Sequence, residues 1–301
     1  MDRPFTVEHH GRNVHVVRLK TSGPPKEWEW RCLLRGDAHH DNPHADHDIE
    51  RDLLDQCVAN GWGWLDIGDL FCAMGGTGDS RAVKGHAVRP ECDKANYCQA
   101  LAEYNGSFYE PYIDNCITIG HGNHETSVLK HKEVDLLDLM QGWILAKRGR
   151  TFQPGGYTGM VSFQISNPQG PSSSFTLAYD HGRGGGAFMS FGTLDIRRWA
   201  SYVDADVYVS GHIHRMWQHD LVRARLSTSA GAYKIVQSPQ HHVCVPTTKD
   251  EWGTGEGGFG VEKLRDPRPR GAWWMKVRLR PADCRHYILP DLYFERARRY
   301  G

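Results

Sequence analysis

The sequence has no net charge to offer. Its 36 Lys and Arg are balanced by 36 Asp and Glu over 301 residues. Global attraction to a polyanion or an anionic membrane is therefore excluded, which leaves only local patches. Paired-cysteine motifs are also lacking. The eight cysteines (Cys32, Cys57, Cys72, Cys92, Cys98, Cys116, Cys244 and Cys284) contain no C-x-x-C. Several lie inside apolar runs, where cysteine acts as a small hydrophobe. Reduced thiols and a cytoplasmic location are expected. No stretch is apolar over a membrane-spanning length, and the first residues carry no signal-peptide core, so a soluble protein without a membrane partner is expected. There are no internal repeats. The glycine run at 182–186 is not a dinucleotide fingerprint, because it lacks the G-x-G-x-x-G spacing and the strand-to-helix context.

What the sequence does have is histidine, eighteen in all, and a series of buried-strand patterns that each end in a polar loop. Trp30 to Leu34 reads as a strand running into Gly36-Asp37-Ala38-His39-His40-Asp41. On extended backbone, residues two apart face the same side, so Asp37 and His39 would converge. Asp48 to Asn60 has helical spacing and stops at Gly61. Trp64 to Ile67 is a second strand, ending in Gly68-Asp69. This is a βαβ unit, so both loops lie on one sheet edge and Asp37 should neighbour Asp69. Two such carboxylates repel unless a cation or a proton lies between them.

A third junction sits near the middle of the chain. Cys116 to Ile119 leads into Gly120-His121-Gly122-Asn123-His124-Glu125, read as a glycine-hinged loop presenting Asn123 and His124. One helix is expected after it, from about Ser127 to Lys147. Two more junctions follow. Ser174 to Tyr179 ends at Asp180-His181-Gly182-Arg183, and Asp206 to Ser210 ends at Gly211-His212-Ile213-His214. Loops at the carboxyl ends of strands are where ligands collect in α/β proteins.

The remaining segments read as support. Val14 to Leu19 is a strand, expected as an extra edge strand or an arm within an extension over 1–29. Residues 73–112 read as an insertion forming a surface excursion. In it Arg81, Lys84 and Arg89 are candidate phosphate contacts, as is Arg183 further on. The 221–301 region reads as strands, with a Gly, Pro and charge-rich loop over 252–271 and a solvated Arg-rich tail. His40, His44, His47 and His121 are read as supporting or surface residues. Asp41 is expected to orient His39 or to cap the next helix. The whole is read as one domain, 1–301.

The five junctions yield Asp37, His39, Asp69, Asn123, His124, His181, His212 and His214. These offer imidazole, carboxylate and amide oxygen, with no thiolate. That set suits Mn²⁺, Fe, Zn²⁺ or Ni²⁺ and not a Cys-rich structural zinc. Seven such ligands would serve two ions with one shared carboxylate, an arrangement suited to in-line displacement at phosphorus.

In these motifs the sequence resembles the calcineurin-like metallophosphoesterases. D-x-H stands as Asp37-Ala38-His39. G-D-x-x-D begins at Gly68-Asp69, G-N-H-D/E stands as Gly122 to Glu125, the lone His is His181, and G-H-x-H stands as Gly211 to His214. Order and context match over about residues 30–220. The resemblance implies a four-layer α-β-β-α sandwich of two mixed sheets flanked by helices. It implies two divalent transition metal ions, manganese favoured, with Asp37, His39 and His214 on one and Asn123, His181 and His212 on the other. Asp69 would bridge, a hydroxide between the ions would attack phosphorus, and His124 would protonate the leaving oxygen.

There are departures. Cys72 replaces the last Asp of G-D-x-x-D, the Asp-Arg-Gly continuation of the phosphoprotein phosphatases is absent, and His121 precedes Gly122 where those enzymes carry Arg. These point away from protein phosphatases, while the Asp37-Ala38-His39-His40-Asp41-Asn42-Pro43 loop and the 73–112 insertion look more like the phage and bacterial members. The function expected is hydrolysis of a phosphodiester in a nucleotide or nucleic acid. The alternatives are a phosphomonoesterase on a small metabolite or phosphoprotein, and a catalytically silent metal-binding scaffold.

Overall fold

The structure is a computed structural model. It describes residues 4–22, 25–75, 88–167, 172–184, 192–227, 233–250, 252, 266–281 and 288–297. Two mixed sheets form its centre.

The smaller sheet is built on the expected βαβ unit. β3 (Glu29–Arg35) is followed by α1 (His47–Asn60) and β4 (Gly63–Asp66), and β3 and β4 pair in parallel. α1 starts where the Asp46 carboxylate accepts the Ile49 N–H at 3.1 Å, and it ends at Gly61 with φ 65°. Both are ordinary helix stop and start chemistry. β5 (Cys116–Ile119) pairs in parallel with β4. β11 (Ala272–Pro281) adds antiparallel to β3, and β12 (Ile288–Ala297) adds to β11 as the outer edge.

The larger sheet has the order β1-β2-β6-β7-β8-β10-β9. Its strands are β1 (Phe5–His9), β2 (Val14–Lys20), β6 (Thr158–Ser166), β7 (Ser173–Asp180), β8 (Val207–Ser210), β9 (Trp217–Ser227) and β10 (Lys234–Cys244).

Strand alternation decides which residues meet between the sheets. Trp30, Cys32 and Leu34 of β3 point inward against Val17, Leu19, Val161, Phe163 and Leu177, all buried. Leu33, between them, points outward and packs with α1, α2 (Tyr97–Tyr109) and α4 (Leu136–Arg148) through Leu54, Leu101, Tyr109 and Met140. On the far face, Ile196 of α5 (Thr193–Trp199) packs on Ala178 and Tyr208. The layering is therefore helix, sheet, sheet, helix, as the resemblance implies.

Several local expectations were wrong. The helix expected from Ser127 to Lys147 is two helices, α3 (Asn123–Lys132) and α4, broken where Glu133 turns left-handed at φ 57° and Asp135 caps α4. Asn123 and His124 are therefore the first residues of a helix and not loop residues. β2 is neither an edge nor an arm, because it lies between β1 and β6. The described part of the 73–112 insertion is not a solvated excursion. Its helix, α2, contributes Leu101, Ala102 and Tyr109 to the core. β12 falls in the region expected to be strand-rich, where the sequence reading gave it no bounds of its own. Arg81, Lys84 and most of the 252–271 loop lie outside the described residues.

Candidate metal centre

All five sequence junctions meet at one edge of the sandwich. Their backbones are tied together first. Asp37 N–H donates to Gly68 O at 2.9 Å, His39 N–H to Asp69 O at 2.9 Å, Gly120 N–H to Asp66 O at 2.8 Å, and Gly211 N–H to His181 O at 3.1 Å. Gly68 and Gly122 allow the closest approach. A Cβ on Gly68 would stand 2.5 Å from Gly122 N, and one on Gly122 would stand 2.1 Å from Asp69 Oδ1. Only glycine fits at either position.

The backbone at the ligands is not extended. Asp37, His39, Asp69, His212 and His214 have φ of 52°, 46°, 54°, 67° and 54°. The premise that residues two apart face one side of a strand therefore fails for both D-x-H and H-x-H. Each left-handed residue costs on the order of 1–3 kcal/mol, and such strain persists only where the surroundings over-determine it. The cross-loop hydrogen bonds supply that constraint.

The side chains gather in two groups. In the first, His214 Nε2 lies 3.2 Å from His39 Nε2 and 3.4 Å from Asp37 Oδ1. In the second, His181 Nε2 lies 3.2 Å from Asp69 Oδ2 and 3.2 Å from Asn123 Oδ1, and His212 offers a ring nitrogen within 4.8 Å of the Asp69 and His181 ligand atoms. The groups touch where His181 Nε2 comes within 4.0 Å of Asp37 Oδ1. His212 and His214 thus divide between the groups.

This arrangement fits divalent ions. Ligand atoms around an ion at about 2.0–2.2 Å stand about 3.0–3.5 Å apart, and three of the contacts above are 3.2 Å. Asp37 Oδ1 is buried without a hydrogen-bond partner among the described residues. Such orphaned atoms are costly unless something else satisfies them. The second shell is in place as well. Asp37 Oδ2 accepts the His212 N–H at 2.8 Å, and Ile67 O faces His181 Nδ1 at 3.3 Å. That contact gives Nδ1 the proton and leaves Nε2 free to ligate.

The electrostatics favour a cation here. Burial alone would lower the His181 pKa, but the Asp69 and Asp37 carboxylates outweigh it and push the imidazole up to about 10. His39 goes the other way. Burial and the neighbouring His124 hold it well below its usual value, against the pull of Asp69. Two desolvated carboxylates thus draw positive charge to the centre of the site.

His124 stands at the rim. Its Nδ1 contacts the Cys72 carbonyl, its backbone N–H donates to Asp69 Oδ1 at 2.9 Å, and its Nε2 lies 3.8 Å from Asp69 Oδ2.

Several residues support the site, and of these the sequence reading gave Glu125, Arg35, Asp66, Glu50, Thr247 and Lys249 no such role. Buried Glu125 accepts the N–H groups of Gly122 at 2.8 Å, Asp69 at 3.1 Å and Phe71 at 2.8 Å. Burial first, then the Asp69 charge, raises its pKa above the usual carboxylate range. Asp41 neither orients His39 nor caps α1. It accepts Cys72 N–H at 2.7 Å and Ala73 N–H at 2.9 Å. Beneath β4, Arg35 pairs with Asp66 at 2.9 Å and Glu50 at 2.8 Å, and Asp66 Oδ1 accepts the Gly68 N–H at 2.9 Å. His40 contacts Glu50 at 3.0 Å, and His121 contacts Gly155 O at 2.6 Å and Asp135 at 3.1 Å. Thr247 donates to Asp37 O at 2.6 Å, and the positive charge of Lys249 reaches both His39 and Cys72. Only Glu125 sat within a quoted motif. The partners of the rest are set by tertiary packing, so no local pattern marks them.

The expected phosphate contacts fare differently. Arg183 is exposed two residues beyond His181. Arg89 is occupied, its guanidinium donating to Asn42 O at 3.1 Å and Ala45 O at 3.2 Å.

No protein-family profile matches the sequence, and no curated protein matches it either. Among solved structures, similarity is found to a predicted phosphoesterase from Streptococcus pneumoniae TIGR4, with 11% identity, 90% of this chain and 91% of that chain covered, and a TM-score of 0.33. Vps29 from Entamoeba histolytica complexed with Zn²⁺ is 11% identical, with 89% and 99% covered and a TM-score of 0.36. The calcineurin-like phosphoesterase YfkN from Bacillus subtilis is 12% identical, with 89% and 91% covered and a TM-score of 0.32. Identities and TM-scores this low transfer no activity to this chain, whose own residues carry the reading below.

Proposed function

We propose that the protein is a metal-dependent phosphoric ester hydrolase that uses two divalent ions and acts on phosphodiesters of nucleotides or nucleic acid. The observation that carries this reading is the pair of nitrogen and oxygen ligand groups meeting at His181 and Asp37, 4.0 Å apart, with His124 at their rim.

Asp37, His39 and His214 would hold one ion, and Asn123, His181 and His212 the other, with Asp69 shared. Manganese is among the ions that this thiolate-free set of imidazole, carboxylate and amide oxygen accepts. When bound, the ions would lower the pKa of water and neutralise charge on the phosphoryl oxygens. The chain's own residues do the rest. The Cys72 carbonyl fixes the His124 ring, and the Asp69 carboxylate fixes the His124 backbone N–H. Its Nε2 is then placed to give a proton to the departing oxygen. The interlocked loops hold the ligands before substrate arrives, so little reorganisation is left for the reaction.

The choice of a diester over a phosphoprotein monoester rests on the departures from the protein-phosphatase pattern, Cys72 in place of the last Asp and His121 before Gly122.

The test compares bis-p-nitrophenyl phosphate with p-nitrophenyl phosphate, with Mn²⁺ restored after chelation. Faster metal-dependent cleavage of the diester is expected. Faster cleavage of the monoester would overturn the diester assignment. No turnover of either substrate by protein holding two ions would overturn the hydrolase reading itself.

A further inference from the structure

Cys72 stands where the resembled motif carries Asp, and its surroundings are more than a core packing site. The residue is 2% exposed. Asp41 clamps its N–H at 2.7 Å and the next residue's at 2.9 Å, and Ala73 turns left-handed at φ 51°. The loop is therefore fixed, and it aims the thiol at two imidazoles. Cys72 Sγ and a ring nitrogen from each of His39 and His124 all lie within 4.8 Å of one another. The two rings meet edge to face, with centroids 4.7 Å apart. Burial first, then Asp41, pushes the thiol up to about 12, so the proton leaves only for a bound cation, and Asn42 Nδ2, donating to the sulfur at 3.3 Å, partly offsets that shift. His39 Nδ1 is a second, independent sign. It is buried without a partner among the described residues, while its Nε2 belongs with His214.

We propose that Cys72, His39 and His124 form a separate site for a thiophilic divalent cation such as Zn²⁺ or Cd²⁺, whose occupancy inhibits the enzyme. One sulfur and two imidazole nitrogens make a softer donor set than either neighbouring group, and sulfur ligation discriminates against Mn²⁺. On binding, the sulfur–metal bond forms as the thiol proton passes to water. The inhibitory consequence rests on the hydrolase reading; the binding does not. His124 cannot carry a proton to a leaving oxygen while it ligates an ion.

The experiment titrates the full-length, Mn²⁺-loaded protein with Cd²⁺ and follows the ultraviolet charge-transfer absorption of the cadmium–thiolate bond. The expected result is saturation at one equivalent in the parent protein. Loss of that absorption is expected in both Cys72→Ser and Cys72→Ala, with Mn²⁺ content retained and circular dichroism unchanged. Absence of the band in the parent, or its persistence at full amplitude in the variants, overturns the site. In parallel, Cd²⁺ should suppress Mn²⁺-dependent hydrolysis in the parent and not in Cys72→Ser. Equal suppression in both overturns the inhibitory role. Failure of the hydrolase reading would show instead as no turnover before any Cd²⁺ is added, with the band still present.

Discussion

Glu125 reaches from the start of α3 to hold Asp69 by its backbone, accepting the Asp69 N–H at 3.1 Å while also accepting the N–H of Gly122 at 2.8 Å. One carboxylate thus fastens two ligand-bearing loops that come from different strands. The sequence pattern marks Glu125 only as the last letter of a motif. The geometry makes it the pin that sets the spacing between Asp69 and Asn123.

Replacing Glu125 with Gln keeps the shape but exchanges one accepting oxygen for an amide nitrogen. The amide nitrogen would face backbone N–H groups that need an acceptor. A loss of about 1–3 kcal/mol in stability is expected, as for buried donors left unpaired. Metal affinity should fall by about 10–100-fold, as for a lost outer-shell partner. Urea unfolding and Mn²⁺ titration of the same preparation check both. A variant as stable and as tight as the parent would show that Glu125 pins nothing.

His124→Ala removes the rim imidazole but none of the proposed metal ligands. Mn²⁺ content should stay at the parental level. Turnover should fall by about 10²–10⁴-fold, the usual range for a positioned proton donor. The loss should ease for substrates with better leaving groups, which need less protonation. Comparison of p-nitrophenyl with methyl or alkyl leaving groups separates this from a change in binding. A uniform loss across leaving groups would point away from proton transfer.

Asp69 and Asp37 compete for the bridging role. Asp37 Oδ1 stands 3.4 Å from His214 Nε2 and 4.0 Å from His181 Nε2, whereas Asp69 Oδ2 stands 3.2 Å from His181 Nε2. If Asp69 bridges when ions are bound, Asp69→Asn should weaken both sites together. Metal counting after dialysis should then find fewer than one ion per chain. Retention of one tight ion would assign Asp69 to the second group alone and pass the bridge to Asp37.

His181 links metal binding to pH. The Asp69 and Asp37 carboxylates hold its pKa at about 10 when only protein groups act on it, against an ordinary value of 6.5. A raised folded value means that, in chelated protein, this group adds stability in full below 6.5 and loses it as pH rises through about 10. Ligation needs the neutral ring, so binding an ion at pH 7 must expel that proton. The apparent Mn²⁺ affinity should therefore rise by about tenfold per pH unit between 6.5 and 8.5, and a weakly buffered titration should release one proton. In His181→Asn that proton release should vanish. A flat affinity over this range would mean that His181 is neutral before metal arrives.

The fold and the meeting of the ligands were legible because both follow from local patterns. Apolar runs ending in Gly-Asp, Gly-Asn-His or Gly-His marked strands and their carboxyl ends, and right-handed βαβ geometry put two of those ends side by side. Three things were not legible. The left-handed conformations of Asp37, His39, Asp69, His212 and His214 fall on residues other than glycine, so composition gives no sign of them. The break after α3 falls at Glu133, again without glycine or proline. The bounds of β12 were not marked either; it contains Pro290, which lacks an N–H, and an outer strand tolerates it because one side has no ladder to lose.

The last prediction concerns the buried charges under the site. Arg35, 3% exposed, is held between Asp66 and Glu50, both fully buried. Three charges share this pocket, so removing the one cation strands two carboxylates in a dry environment. Arg35→Leu should cost about 3–5 kcal/mol, the range for breaking a buried pair. The damage should also reach the metal centre, because Asp66 Oδ1 holds the Gly68 N–H directly before Asp69. Restoring neutrality should repair part of it. Adding Glu50→Gln to Arg35→Leu removes one of the stranded charges, so the double variant should be more stable than the single one. Urea unfolding of parent, single and double variants gives the coupling energy. A double variant that is less stable than Arg35→Leu would mean that Glu50 stabilises the core through the Tyr109 hydroxyl and His40, its other two partners, and not through Arg35.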